Sequence, residues 1–90
     1  MSVTVSIPTI LRSYTGDSKR VDGNGSTLAA LIDDLDVAHA GIKDRLVADG
    51  KLHRFVNVYV NDEDVRFTGG LDTAIADGDE VTILPAVAGG

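Results

Sequence analysis

Val3, Val5 and Ile7 alternate with Thr4 and Ser6, a period of two that predicts a strand with one buried face. Pro8 has no N–H to give a sheet, so it is expected at a bulge or unpaired position while the strand continues into Ile10 and Leu11. Thr15-Gly16-Asp17-Ser18 has the composition of a turn, and Lys19-Arg20-Val21 can return as a second strand to complete a hairpin. Asp22-Gly23-Asn24-Gly25 is a second turn cluster, after which Ser26 or Thr27 can cap a helix. Neither has Glu or Gln three residues on, so there is no capping box.

The period then changes. Leu28, Leu31, Ile32 and Leu35 follow i, i+3, i+4, i+7 and share one face of a helix, with Asp33 and Asp34 turned to water. Gly41 to Gly50 reads as a second, short helix with Ile42 and Leu46 as its buried pair. Phe55-Val56-Asn57-Val58-Tyr59-Val60 is the strongest strand signal, β-branched and aromatic throughout. Its valines take the core face, which leaves Phe55 and Tyr59 on the other side as candidates for a partner surface, since aromatic side chains are enriched in interfaces. Asn61 to Asp64 turns the chain, Val65-Arg66-Phe67 reads as a short strand, and Leu71 to Ile75 as a single helical turn. After Asp77-Gly78, the apolar run of Val81, Ile83 and Leu84 suits a central strand beside the first. The predicted fold class is α+β: a roll of mixed sheet with one main helix packed across it.

Ninety residues make one domain with a sizeable core. The absence of cysteine excludes disulfides, thiolate nucleophiles and cysteine metal sites. Fourteen acidic against eight basic side chains, a net charge of −6, argue against nucleic acid and anionic membranes as partners. A chain this acidic is expected to dock on basic surfaces. The N-terminus lacks the basic and apolar regions of a signal peptide, and no run of about 20 apolar residues occurs, so the expectation is a soluble, cytoplasmic protein.

Catalytic readings fail in turn. His39 and His53 lie in different segments without HExxH spacing, Asp33-Asp34 point about 100° apart on a helix, and no metal site is expected. Gly23-Asn24-Gly25 lacks the third glycine of a dinucleotide loop, and there is neither a P-loop nor a nucleophile elbow. The chain is expected to bind no cofactor and to be no enzyme. Attention passes to Pro85-Ala86-Val87-Ala88-Gly89-Gly90, a small uncharged tail with one reactive group, the carboxylate of Gly90. With a reference pKa of roughly 3.5 that carboxylate is ionised at neutral pH and is a poor electrophile until something activates it. Glycine permits close backbone approach inside another protein's active site. Pro85 is expected to end the last strand and launch the tail, which extended would reach about 20 Å. The division is a domain over 1–84 and a tail over 85–90.

The ending DGDEVTILPAVAGG and the segment KLHRFVNVYVNDEDVRF resemble the ubiquitin-like sulfur carriers of the ThiS and MoaD type, most closely their actinobacterial branch. The likeness is densest from Lys51 to Gly90. Pro85-Ala86 replaces the two prolines frequent in the molybdopterin members. The resemblance implies a β-grasp fold, a monomer when free, and a cycle run by other proteins. An E1-like adenylating enzyme would use ATP to make an acyl-adenylate at Gly90, and a sulfur donor would convert it to a thiocarboxylate. Gly89 and Gly90 match the family's terminal motif, Pro85, Ala86, Val87 and Ala88 the tail that fills the partner's channel, and Leu84 joins Phe55 and Tyr59 as partner-surface candidates. Cysteine biosynthesis through a PLP-dependent synthase is the favoured destination, with a zinc metalloprotease releasing the product. Molybdopterin, thiamin or a thiosugar would need another acceptor synthase. Two other readings stand beside this one: a protein modifier conjugated to lysines through Gly90, and a binding domain with an inert tail.

Overall fold

Pro8 decides how the first strand ends. In a computed structural model of the chain, which describes residues 2–54 and 56–85, β1 covers Val3–Ser6 and stops short of the proline. Pro8, at φ −70° and ψ 157°, instead caps a 3-10 helix over Thr9–Tyr14. The expected strand through Ile10 and Leu11 is therefore corrected: the ring fixes φ and withholds the N–H that a continuing ladder needs. Leu11 is buried, whereas Ile10 is 62% exposed. Arg20–Gly23 forms β2, antiparallel to β1 with Ser6 opposite Arg20 and Val3 opposite Gly23. Asp22 and Gly23, expected in a turn, close that strand.

Thr27 is the cap of α1 (Leu28–Ala38), its Oγ1 accepting the Ala30 N–H at 3.2 Å. Leu28, Leu31, Ile32 and Leu35 are all buried, as their spacing predicts. Asp33 is exposed, while Asp34 is half-buried and accepts the Asn24 N–H at 2.9 Å. The chain reverses through Gly41 at φ 96°. There Asp36 Oδ1 accepts the N–H groups of Gly41 at 3.0 Å and Lys43 at 3.1 Å, which starts α2 (Ile42–Leu46).

The second helix does not run to Gly50. Val47–Ala48 and Lys51–Leu52 pair as β3 and β4, with Asp49 at φ 54° and Gly50 at φ 75° between them. Both φ values are positive, as a two-residue hairpin turn of the Asp-Gly kind requires, so this dipeptide makes a hairpin rather than a helix end. The same geometry recurs between β5 (Val56–Val60) and β6 (Glu63–Asp64), where Asn61 and Asp62 have φ 50° and 71°. Val65–Phe67, expected as a strand, is a 3-10 helix, because Asp64 Oδ1 caps it by accepting the Arg66 N–H at 2.9 Å. The helical turn expected in Leu71 to Ile75 falls earlier, at Gly70–Asp72, and Ala74 bridges to Thr27.

β7 (Glu80–Pro85) takes the central place in the order β2-β1-β7-β5-β6, parallel to β1 and antiparallel to β5. Val3, Val5, Val58, Val81 and Ile83 face the apolar side of α1 in one buried cluster. This mixed sheet crossed by one main helix is the β-grasp roll. The entry to β7 is pinned by Asp79, which accepts the Ala76 N–H at 2.8 Å and the Asn61 side-chain amide at 3.0 Å. Those bonds, the Ala76 N–H first and Asn61 next, favour the carboxylate and hold Asp79 below its ordinary value of 3.8. A depressed folded pKa stabilises above the unfolded value and loses that stabilisation as pH falls through the folded one. Chemical denaturation between pH 5 and 2 is therefore expected to show Asp79→Asn with a shallower acid limb than the parent; identical limbs would refute it.

Candidate functional site

Leu84 and Pro85 stand where the central strand reaches the end of the sheet. Because β7 runs parallel to β1, that end also carries the loop after Ser6, and because β5 runs antiparallel, it carries the segment leading into Val56. Pro85 is the last paired residue of β7, opposite Val56. The strand thus includes the position expected to begin the tail. Proline is tolerated there because a terminal strand position can lack an N–H without breaking the ladder behind it. From this point the chain passes to Ala86, Val87, Ala88, Gly89 and Gly90, which lie outside the described residues, as does Phe55.

The remaining two partner-surface candidates come together. Leu84 lies opposite Asn57, and Tyr59 opposite Thr82, so both sit on the sheet face turned away from α1, as diagonal neighbours on adjacent strands. Leu84 is 44% exposed and Tyr59 is half-buried. Around them the face is small and polar, with Ser6 and Thr4 on β1 level with Thr82 and Glu80. An apolar side chain among hydroxyls at the root of the tail suits a docking face that stays wet when free. On the far side of Tyr59, Asp64 is clamped by Arg66, with contacts of 2.7 to 3.2 Å from the guanidinium, and this bond first of all lowers the Asp64 pKa.

Sequence reasoning did not find the depression beside the tail root. Ile10, Tyr14, Arg45, His53 and Val56 are among the residues enclosing about 370 Å³ there. Arg45 Nε donates to the Tyr14 hydroxyl at 2.7 Å, and its guanidinium lies 5.9 Å from the centre of that ring. The two residues are 31 apart in sequence. Only the 3-10 helix that replaces the expected strand brings them together, so no local pattern announces the site. His39 caps the C-terminus of α1, away from His53, whose N–H donates to the Leu46 carbonyl at 2.8 Å. Among the described residues no group of three His, Cys, Asp or Glu could hold a metal ion, and no helix is long and apolar enough to cross a membrane.

Comparison with known proteins is consistent with this geometry. The chain is 68% identical over 93 aligned residues to the sulfur carrier protein CysO of Mycobacterium tuberculosis, covering all of both chains. The crystal structure of that protein superposes with a TM-score of 0.92 at 67% identity, over 94% of this chain and 99% of the other. CysO in the Amycolatopsis orientalis BexX/CysO complex superposes at 0.93 with 66% identity, over 98% and 99%. A more distant relative, small archaeal modifier protein 3 of Haloferax volcanii, is 38% identical over 71 residues, 79% of this chain and 76% of its own. The sequence pattern of the ThiS family matches residues 5–90. By its sequence from β1 through to Gly90, and by its β-grasp roll, the chain belongs to the ThiS family.

Proposed function

We propose that this protein is a sulfur carrier whose Gly90 carboxylate is adenylated and then converted to a thiocarboxylate. The observation that carries the reading is its full-length, 68% identity to sulfur carrier protein CysO. The arrangement supports it: a rigid central strand ends in Pro85 and hands on to five small residues closing in Gly89-Gly90. The chain supplies a handle and a carboxylate, and a partner supplies the chemistry. Adenylation provides the leaving group that the bare carboxylate lacks, with ATP bound by an E1-like enzyme and not by this chain. Sulfur then displaces AMP at the carbonyl, and the product is a nucleophile tethered to a recognisable domain. The acceptor proposed is a PLP-dependent cysteine synthase, followed by a zinc metalloprotease that frees the amino acid, all in the cytoplasm. Molybdopterin, thiamin and thiosugar synthases are the other acceptors of the same chemistry.

Incubation with the adenylating enzyme of the same organism, ATP and sulfide is expected to give a species heavier by about 16 mass units, sulfur in place of oxygen at an activated carbonyl. No such species from an enzyme competent with its own carrier would overturn the reading. The kinship with a small archaeal modifier protein favours a second one, conjugation to lysines through Gly90. Blots of host extract would then show a ladder above the free protein, and free protein alone would count against it.

A further inference from the structure

The net charge of −6 hides a polarity along the strands. Arg20 sits opposite Ser6, and the Lys19 carbonyl accepts the Ile7 N–H at 2.8 Å, which puts both residues at the tail end of the sheet. Arg12 is held there too, its Nε donating to the Ile7 carbonyl at 3.2 Å. Arg45 lines the depression beside the tail root, and Arg54 lies two residues before Val56, the partner of Pro85. Five of the eight lysines and arginines therefore surround the point where the chain leaves the sheet. Asp17, which donates its N–H to the Arg12 carbonyl, and Asp44, in the wall of the depression, are set among them. Four of the five are exposed, and the two ion pairs among the described residues, Lys43 with Asp33 and Arg66 with Asp64, involve none of them.

The opposite end is acidic. Asp62 lies in the β5–β6 turn and Glu63 opens β6, while Asp77 and Asp79 lead into β7, which Glu80 begins. Ser2 N–H donates to Asp77 at 2.6 Å, and Asn61 joins Asp79, so these residues gather at the start of β1 and β7. Along β7 the two ends are about 17 Å apart at roughly 3.3 Å per residue. That exceeds the screening length of about 8 Å at physiological salt, so an approaching surface meets the ends separately.

From this polarity we infer that the cationic collar around Pro85 is a docking surface for an acidic rim at the mouth of the channel that receives the tail. The collar is drawn to such a rim and the far end is repelled by it. The domain arrives tail first, which a carrier that must thread five residues requires before any close contact forms. This reverses at the contact itself what the overall charge implies. The identity of the partner, an adenylating enzyme, rests on the carrier reading; the collar does not.

The test has two arms. The intact protein is passed over immobilised polyglutamate at pH 7 and low salt, where it is expected to be retained despite its net charge. Arg20→Glu/Arg54→Glu should flow through, and Lys51→Glu, a control on β4 away from the collar, should behave like the parent. In adenylation assays the double variant is expected to raise KM for the carrier about tenfold with kcat unchanged, and that difference should shrink as salt rises. Melting curves confirm that each variant is folded. A parent that is not retained, or a Lys51→Glu effect as large as that of the collar, overturns the proposal. A parent that is retained but never adenylated overturns the carrier reading and leaves the collar standing on the first arm.

Discussion

Deletion of Gly89 and Gly90 is expected to reduce thiocarboxylate formation to background while leaving the melting temperature where it is. The two halves of that result have separate physical causes. Among the described residues every buried apolar residue of the core lies between Val3 and Ile83, and the last ladder position is Pro85 opposite Val56, so the deletion removes no described contact. Activity is another matter, because the reaction takes place at a carboxylate that must be carried into a partner's active site. Shortening by two residues withdraws it by about 7 Å at roughly 3.3 to 3.6 Å per residue, and misplacement by even 1 Å can cost on the order of a hundredfold. The new terminus would also be Ala88, whose Cβ restricts the close backbone approach that glycine allows. Intact-mass analysis after incubation with enzyme, ATP and sulfide, beside a thermal melt of the same sample, reads both halves. A truncated chain that still gains sulfur would show that the terminal pair is not the reacting end. One that loses its melt would show that the tail is part of the fold. A binding domain with an inert tail would lose little by the deletion in a partner-binding assay.

What the sequence disclosed and what it hid divide along physical lines. The helix face of Leu28, Leu31, Ile32 and Leu35, the valines of β5 and the central β7 were legible because periodicity reports burial directly. The short connections were not, because there a single cap or turn outweighs strand propensity. Pro8 converted an expected strand into a 3-10 helix, and Asp64 did the same to Val65–Phe67. Asp49-Gly50 carried a hairpin signal, but the helical spacing of Ile42 and Leu46 masked it. Of the candidate site, Leu84 and Tyr59, both offered by the sequence as partner-surface candidates, fall on one face of the sheet, while the terminal glycines lie outside the described residues. The surroundings of the site were not legible. Arg45 and Tyr14, or Arg20 and Arg54, become neighbours of the tail root only through strand order and register, which no local pattern encodes.

Gly25→Ala is expected to cost about 3 kcal/mol of stability, at the upper end of what overpacking a well-packed site costs. In the sequence Gly23-Asn24-Gly25 reads as part of a turn, a role in which glycine supplies conformational freedom. Neither glycine has a positive φ, and their surroundings explain them differently. A Cβ at Gly25 would stand 2.4 Å from the Leu31 backbone nitrogen and 2.8 Å from the Ala30 carbonyl carbon, closer than any real contact. A Cβ at Gly23 would meet side-chain ends alone, Leu31 at 2.7 Å, Leu35 at 3.1 Å and the Asp34 carboxylate at 3.5 Å, which can shift at smaller cost than backbone. Backbone has no such freedom. To admit the methyl group, the first turn of α1 must move off the chain that leads into it, disturbing the Thr27 cap and the buried seats of Leu28 and Leu31. Gly50→Asn is the contrast, since that glycine has φ 75° with nothing within 4 Å of a Cβ, and asparagine tolerates the left-handed region. Urea denaturation is expected to rank the three with Gly25→Ala the least stable, Gly23→Ala between, and Gly50→Asn close to the parent. A Gly25→Ala protein as stable as Gly50→Asn would mean that the helix start is free to shift. In that case the platform beneath β7 would be softer than its packing implies.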